Sequence, residues 1–109
     1  GTDDIRDSMG IDLVKRLLKL GAKIIIHDPK ALENASKIFH DNVKYVKSVP
    51  SALKDCQCAI IMTEWKEYEK INNKTIKHMA KKVIIDSRRI IYNKNLGAKY
   101  FAIGLGQKA

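Results

Sequence analysis

The stretch Val83-Ile84-Ile85-Asp86-Ser87-Arg88-Arg89 joins a β-branched apolar run to a polar turn. This pattern is typical of a strand that leaves a parallel sheet at its carboxyl end, and open α/β sheets bind their ligands beyond those ends. An arginine at that position offers a planar set of donors that suits a phosphate or a carboxylate. We therefore expect Arg88 to bind an anion, and one of the two adjacent arginines, Arg88 or Arg89, to face solvent or form a salt bridge.

Other apolar runs alternate with helical patterns along the rest of the chain. Apolar spacing predicts helices at residues 5–20, 31–39, 48–53 and 76–80. Strands are predicted at residues 22–27, 43–46, 59–62, 83–86 and 100–103. The third strand is a continuous apolar run, which predicts burial on both faces. The alternation predicts an α/β fold that is Rossmann-like and doubly wound, with a mostly parallel sheet inside a three-layer αβα arrangement.

The predicted order of elements starts with a helix. Thr2, Asp3 and Asp4 supply a cap and negative charge for its first turn, and Gly21 is placed to end it. A doubly wound unit normally starts with a strand. We therefore expect the fold to lack its first strand and the chain to be a piece of a longer polypeptide, an expectation that depends on a family resemblance as much as on this pattern.

Size and charge limit the class of protein. A chain of 109 residues predicts a single domain over residues 1–109. The net charge of +9 comes from lysines spread along the whole chain, whereas nucleic-acid binders concentrate basic residues on one face, so no nucleic-acid partner is expected. No apolar run reaches the length of about 18 residues that a membrane span needs, so we expect no membrane partner and a cytoplasmic location.

Metal and nucleophile patterns are weak in this sequence. Cys56 and Cys58 are the only cysteines, too few for a structural zinc site, and we expect them to be buried and reduced. The three histidines have no carboxylate or cysteine partner at ligand spacing, so neither a metal site nor a catalytic residue is predicted. A Gly-x-Gly-x-x-Gly turn after a strand is also missing.

Three further positions leave alternatives open. Asp28 closes a predicted strand, where it could bind a ribose hydroxyl or cap the helix that starts beside Pro29. The segment Thr63-Glu64-Trp65 follows a buried strand and suits a binding loop, or a tryptophan that anchors a helix to the sheet. Arg6 could form an ion pair within its helix or contact a ligand.

Four segments together resemble the C-terminal domain of the UDP-glucose/GDP-mannose dehydrogenase family, in the family's order and over nearly the whole chain. They are Thr2-Asp3-Asp4-Ile5-Arg6-Asp7-Ser8, His27-Asp28-Pro29-Lys30-Ala31, Ile60-Ile61-Met62-Thr63-Glu64-Trp65 and Ile85-Asp86-Ser87-Arg88. The third is similar to the Thr-Glu-Trp segment typical of the UDP-glucose branch. The fourth resembles the family's Asp-Gly/Ser-Arg turn.

The resemblance implies an enzyme that oxidises the C6 hydroxyl of a UDP-sugar, with UDP-glucose the expected substrate, to a carboxylate. It implies two NAD-dependent steps through a cysteine-bound thiohemiacetal and thioester. In such enzymes an N-terminal domain binds NAD and carries the cysteine, and a central helical region carries most of the dimer interface. The complete enzyme is therefore expected to be a homodimer, and this domain alone is expected to be inactive.

The resemblance assigns roles to two arginines. Arg88 matches the arginine that reaches the substrate, and Arg6 matches the arginine that approaches NAD. Cys56 and Cys58 do not match the catalytic cysteine. Two departures stand out: the family's substrate-contacting Phe-Lys pair is missing with its strand, and residues 93–97 are shorter than usual, so the last crossover helix is expected to be vestigial.

Two other functions are compatible with the same residues. A freestanding nucleotide-binding or regulatory module could use the same pocket at the strand ends without catalysis. A basic nucleic-acid-binding protein is the second, and the dispersed lysines argue against it.

Overall fold

The computed structural model describes residues 3–28, 32–92 and 94–102, without the side chains of residues 3–9 and 32–35. Its elements are α1 (Asp3–Lys19), β1 (Ile25–Ile26), α2 (Leu32–Phe39), β2 (Lys44–Tyr45), α3 (Val49–Leu53), β3 (Ala59–Ile61), β4 (Val83–Asp86) and β5 (Lys99–Ala102). Short 3₁₀ helices lie at His40–Asn42 and Lys66–Lys70. The chain divides into two compact units, residues 1–52 and 53–109. None of the helices described here is long and apolar enough to cross a membrane.

In the first unit, α1 ends where the sequence predicted. Gly21 has a φ of +88°, which a residue without Cβ adopts readily. Its N–H donates to the carbonyl of Leu18 at 3.0 Å, and the N–H of Ala22 donates to the carbonyl of Leu17 at 3.0 Å. These two bonds bring further donors to the last carbonyls of the helix, where regular helical bonding ends.

The strands of the first unit are parallel and shorter than predicted. β1 pairs with β2 through Ile25 opposite Lys44 and Ile26 opposite Tyr45. An apolar run predicts which residues can be buried, whereas the length of a strand depends on how far its partner runs alongside it. The pairing therefore covers two residues of the six predicted for the first strand.

The second unit contains a parallel sheet with the order β3-β4-β5. β4 lies at its centre and has the predicted bounds. Ile84 on this strand is 1% exposed and belongs to a core shared with Ile76, at 0%, and Ile91, at 1%. Every described strand pair in the chain is parallel, which confirms the predicted α/β class.

The opposite face of this sheet carries a row of apolar side chains. Ile60 on β3 is opposite Ile85 on β4, which is opposite Phe101 on β5. Ile60 is 37% exposed and Phe101 is 46% exposed. The prediction that the strand at residues 59–62 is buried on both faces is therefore wrong at Ile60, because successive side chains alternate between faces and only the face of Ile61 is buried.

The helix predicted at residues 76–80 is not formed, and residues 73–78 make successive turns instead. The side-chain Oδ1 of Asn72 accepts hydrogen bonds from the N–H groups of Lys74 and Thr75 at 2.9 and 3.1 Å. Such a side chain offers the backbone an alternative to helical bonding. The apolar positions were nevertheless predicted correctly, since Ile76 and Met79 are buried.

The connection from β4 to β5 runs through turns, and its described residues contain no helix. This agrees with the expectation of a vestigial crossover helix. The Lys94 ammonium donates to the carbonyls of Glu69 and Ile71, the latter at 2.8 Å. These bonds attach the connection to the end of the 3₁₀ helix Lys66–Lys70.

Candidate functional site

The candidate site lies where β3 and β4 end side by side. Ile61, the last residue of β3, is in register with Asp86, the last residue of β4. The segments that follow, residues 62–65 and 87–89, therefore leave the sheet at the same carboxyl edge. This edge is where parallel α/β sheets present their binding groups.

Ser87 fastens the turn after β4 to the end of β3. Its N–H donates to the Ile61 carbonyl at 3.1 Å, and its hydroxyl donates to the same oxygen at 2.6 Å. One carbonyl thus accepts two hydrogen bonds from one residue. These bonds hold Ser87, the residue just before Arg88, against the neighbouring strand β3.

Asp86 is a fully buried carboxylate with 0% exposure. Its Oδ1 accepts a hydrogen bond from the N–H of Arg88 at 3.2 Å. Its Oδ2 accepts from the N–H of Ile91 at 2.9 Å and from the hydroxyl of Tyr100 at 2.8 Å. A buried charge is tolerated only when such partners replace water.

Arg88 is held at the base of its guanidinium. The Nε–H donates to the Met62 carbonyl at 3.3 Å, while Nη1 lies 3.9 Å from Oε2 of Glu64. The Arg88 side chain is 26% exposed and that of Glu64 is 56% exposed. A solvated ion pair at this distance is weak, so an incoming anion can replace Glu64 as the partner of the guanidinium.

Arg89 differs from Arg88 in its backbone conformation and in the side chain that it contacts. Its φ of +57° lies in the left-handed region, and its Cζ lies 4.6 Å from the ring centre of Tyr92. The ring of Tyr92 is tilted relative to the ring of Tyr100, and the two ring centres are 6.5 Å apart. Arg89, the second arginine of the motif, therefore stacks on an aromatic ring. The expectation from the sequence, a salt bridge or exposure to solvent, did not include this contact.

The phenol of Tyr100, which donates to Asp86, has a pKa far from its ordinary value. Partial burial raises its pKa well above the ordinary value, and the hydrogen bond to the Asp86 carboxylate raises it further. The Tyr100 phenol therefore stays protonated and remains a donor to Asp86 over the neutral range.

The other predicted site residues lie in the first unit. The backbone of Arg6 belongs to α1, and its side chain lies outside the described residues. Asp28 is partly buried and follows the end of β1 by two residues. Residues 29–31 lie outside the described part of the chain, so the choice between a helix cap and a ribose contact for Asp28 stays a prediction.

The cysteines differ from the expectation of two buried thiols. Cys56 is partly buried and Cys58 is exposed, and neither forms a disulfide. The prediction of burial is wrong for Cys58, which precedes the first residue of β3. Desolvation by neighbouring atoms raises the pKa of both thiols, with further increases from Asp55 for Cys56 and from Cys56 for Cys58. Across the described residues, no three His, Cys, Asp or Glu side chains are grouped so that they could hold a metal ion.

Sequence reasoning missed Asp86 as the centre of this site and did not assign Tyr100 to it. A local signal for Asp86 exists, because an aspartate before a turn often accepts a hydrogen bond from the backbone two residues on. The bond from Arg88 has that spacing. The donor from Tyr100 lies 14 residues away on another strand and has no local signal.

Comparison with known proteins gives a consistent set of relatives. Residues 1–93 match the UDP-glucose/GDP-mannose dehydrogenase family, UDP binding domain. A UDP-glucose 6-dehydrogenase from Rickettsia felis is 40% identical, over 95% of this chain and 24% of that protein. UDP-glucose 6-dehydrogenase AglM from Haloferax volcanii is 37% identical, over 84% of this chain and 21% of that protein.

A solved structure gives the same result for the fold. A UDP-glucose dehydrogenase from the hyperthermophilic archaeon Pyrobaculum islandicum superposes with a TM-score of 0.68 at 28% identity. The match covers 85% of this chain and 20% of that chain. The present chain thus spans about a quarter of the length of the curated relatives it matches.

Proposed function

This chain belongs to the UDP-glucose/GDP-mannose dehydrogenase family, as its four motifs predicted, and we propose that it is the part of such an enzyme that binds the UDP-sugar. In this proposal residues 1–109 form a single UDP-sugar-binding domain. The substrate of the complete enzyme is UDP-glucose, because relatives that are 40% and 39% identical to this chain carry the name UDP-glucose 6-dehydrogenase.

The geometry of Arg88 carries the proposal. Its Nε is fixed on the Met62 carbonyl, which orients the planar guanidinium, and its only described ion pair is the long contact with Glu64. A diphosphate that approaches the carboxyl edge of the sheet finds an oriented arginine, which is suited to bidentate recognition of phosphate oxygens. Arg88 would neutralise the diphosphate and hold the sugar in register for reaction elsewhere in the enzyme.

NAD is the proposed oxidant of the complete enzyme, where it accepts a hydride when bound. The sequence has no Gly-x-Gly-x-x-Gly turn between a strand and a helix, so this chain does not fit as the main NAD site. We assign NAD binding to the N-terminal domain and dimerisation to the central helical region of a homodimeric enzyme. From this chain, Arg6 is the residue proposed to reach NAD.

The nucleophile is also assigned outside this chain. A cysteine that attacks an aldehyde must form a thiolate readily. Desolvation acts in the opposite direction on Cys56 and Cys58 and raises the pKa of both. We therefore propose that the domain alone binds its ligand without oxidising it.

The test is Arg88→Ala in the complete enzyme. Loss of one charged contact to the diphosphate is expected to lower kcat/KM for UDP-glucose by roughly 10- to 1000-fold, with a raised KM. Lys82→Ala is the matched control, because it removes the same charge from the exposed position just before β4, at the opposite end of the strand. Unchanged kinetics in Arg88→Ala would remove Arg88 from the binding site.

A further inference from the structure

The buried Asp86 has no part in the proposed binding step, although its carboxylate accepts three hydrogen bonds at this edge of the sheet. Its carboxylate joins the turn after β4 through the Arg88 N–H, the crossover through the Ile91 N–H, and β5 through the Tyr100 hydroxyl. At 0% exposure it has no water to replace a lost partner. The three donors are therefore held in one arrangement.

Two anchors define the position of Arg88. Asp86 Oδ1 accepts a hydrogen bond from its backbone N–H, and the Met62 carbonyl accepts one from its Nε–H. The first anchor places the backbone from which the side chain starts, and the second orients the guanidinium. A shift of the backbone by about 1 Å is enough to spoil the alignment of a bound group.

We propose that Asp86 is a positioning residue for Arg88: it fixes the backbone from which Arg88 meets the diphosphate of the UDP-sugar, and Tyr100 keeps the carboxylate in place. The inference rests on the proposed function of Arg88 and adds the means by which the arginine is aligned. A purely structural Asp86 would lower the stability of the domain without a specific effect on the diphosphate. If Asp86 positions Arg88, the effect of an Asp86 substitution on UDP affinity depends on the presence of Arg88. If Asp86 is purely structural, that effect does not depend on Arg88.

Two substitutions disrupt the hydrogen bonds of the Asp86 carboxylate to different extents. Asp86→Asn leaves one acceptor oxygen, which can serve the Ile91 N–H and the Tyr100 hydroxyl or the Arg88 N–H, but not all three, and its Kd for UDP is expected to rise about 10- to 100-fold. Tyr100→Phe removes one donor and leaves the carboxylate, with an expected rise of about 2- to 10-fold. Ile84→Val is the control: it alters the buried core beside Asp86 on β4 and should keep the Kd within about twofold.

The experiment measures UDP binding to the complete enzyme by titration calorimetry, for each variant alone and combined with Arg88→Ala. NAD affinity is the second readout. The positioning role predicts that Asp86→Asn weakens UDP binding when Arg88 is present, adds little in the Arg88→Ala background, and leaves the Kd for NAD unchanged. If Asp86→Asn does not fold, Tyr100→Phe enters the same cycle and gives the same discrimination.

The contrary outcomes separate the two proposals. Equal losses in both backgrounds, or no loss with Arg88 present, overturn the positioning role and leave the proposed function intact. A loss of NAD affinity as large as the loss of UDP affinity also overturns it, because it indicates a general folding defect. Full UDP affinity in Arg88→Ala alone overturns both the proposed function and the positioning role.

Discussion

Two apolar runs in this chain lead to an aspartate, and the two aspartates have different surroundings. β4 includes Asp86 and is paired on both edges, by β3 and β5, so its carboxylate is buried and accepts hydrogen bonds from three donors. β1 ends two residues before Asp28, which is only partly buried. The difference follows from strand length and pairing: β4 reaches Asp86 and lies beside β5, which supplies the Tyr100 hydroxyl, whereas β1 ends before Asp28.

The largest expected difference between the two aspartates is in stability. Asp86→Ala leaves two N–H groups and a hydroxyl without their acceptor in a buried place, and should lower the free energy of unfolding by about 3 kcal/mol or more. Asp28→Ala should cost about 1 kcal/mol, as for an average substitution. Urea unfolding followed by far-ultraviolet circular dichroism, which reports on the helices and strands of both units, measures both. Equal losses would contradict the contrast between the strand ends.

The two adjacent arginines of the β4 turn give the next largest difference. Arg88→Lys keeps the charge but loses the planar fork, and should lower kcat/KM for UDP-glucose about 10-fold in the complete enzyme. Arg89→Lys should change it by less than about threefold, because Arg89 is stacked on Tyr92 and lysine retains a cation for that contact. A larger effect at Arg89 would move the binding role to the other arginine.

A comparison of Tyr100 with Tyr45 in the first unit predicts a pH effect. Partial burial raises both pKa values, with a smaller contribution from Asp41 at Tyr45 and from Asp86 at Tyr100, where the rise is larger. Because the folded pKa of Tyr100 exceeds its ordinary value of 10.0, its stabilising contribution is complete below that pH and is lost as pH rises towards the folded pKa.

Urea unfolding of the wild type and Tyr100→Phe at neutral pH and at about pH 11 measures this effect. The wild type should be more stable at neutral pH, and its advantage should shrink in alkali. Tyr45→Phe, matched in chemistry, should show a smaller change between the two conditions. A constant difference between wild type and Tyr100→Phe would show that the phenol does not stay protonated through its bond to Asp86.

The smallest expected effect comes from Glu64. Its carboxylate lies 3.9 Å from the Arg88 guanidinium and is mostly exposed, so it competes only weakly with a bound diphosphate. Glu64→Gln should tighten UDP binding by about two- to fivefold at low salt and less at high salt. Glu69→Gln removes the same charge from the neighbouring 3₁₀ helix as a control. Weaker binding in Glu64→Gln would instead make Glu64 a direct ligand contact.

Local signals predicted much of the fold. The bounds of β4 follow from its β-branched run and polar end, and the end of α1 follows from Gly21. The helix expected near residues 76–80 failed because the side chain of Asn72 binds the backbone that a helix would use. The exposure of Ile60 depends on which face of the sheet is covered, which the apolar run alone does not specify.

The features of the candidate site also divide into local ones, which the sequence predicts, and long-range ones, which depend on the fold. The place of Arg88 at a strand end is local and was predicted. Its anchor on Met62 joins residues 26 positions apart and required the β3–β4 pairing. The role of Asp86 was missed because its partners Ile91 and Tyr100 lie 5 and 14 residues further on, brought together only by the crossover and β5.

Hydrogen–deuterium exchange of the complete enzyme with and without UDP tests whether the UDP-sugar binds at this edge of the sheet. Slower exchange is expected in peptides that contain residues 62–65 and 86–91, with loss of that protection in Arg88→Ala at the same UDP concentration. Saturating UDP binding that leaves both segments unchanged and protects other parts of the chain would contradict the assignment of the UDP-sugar to this edge of the sheet.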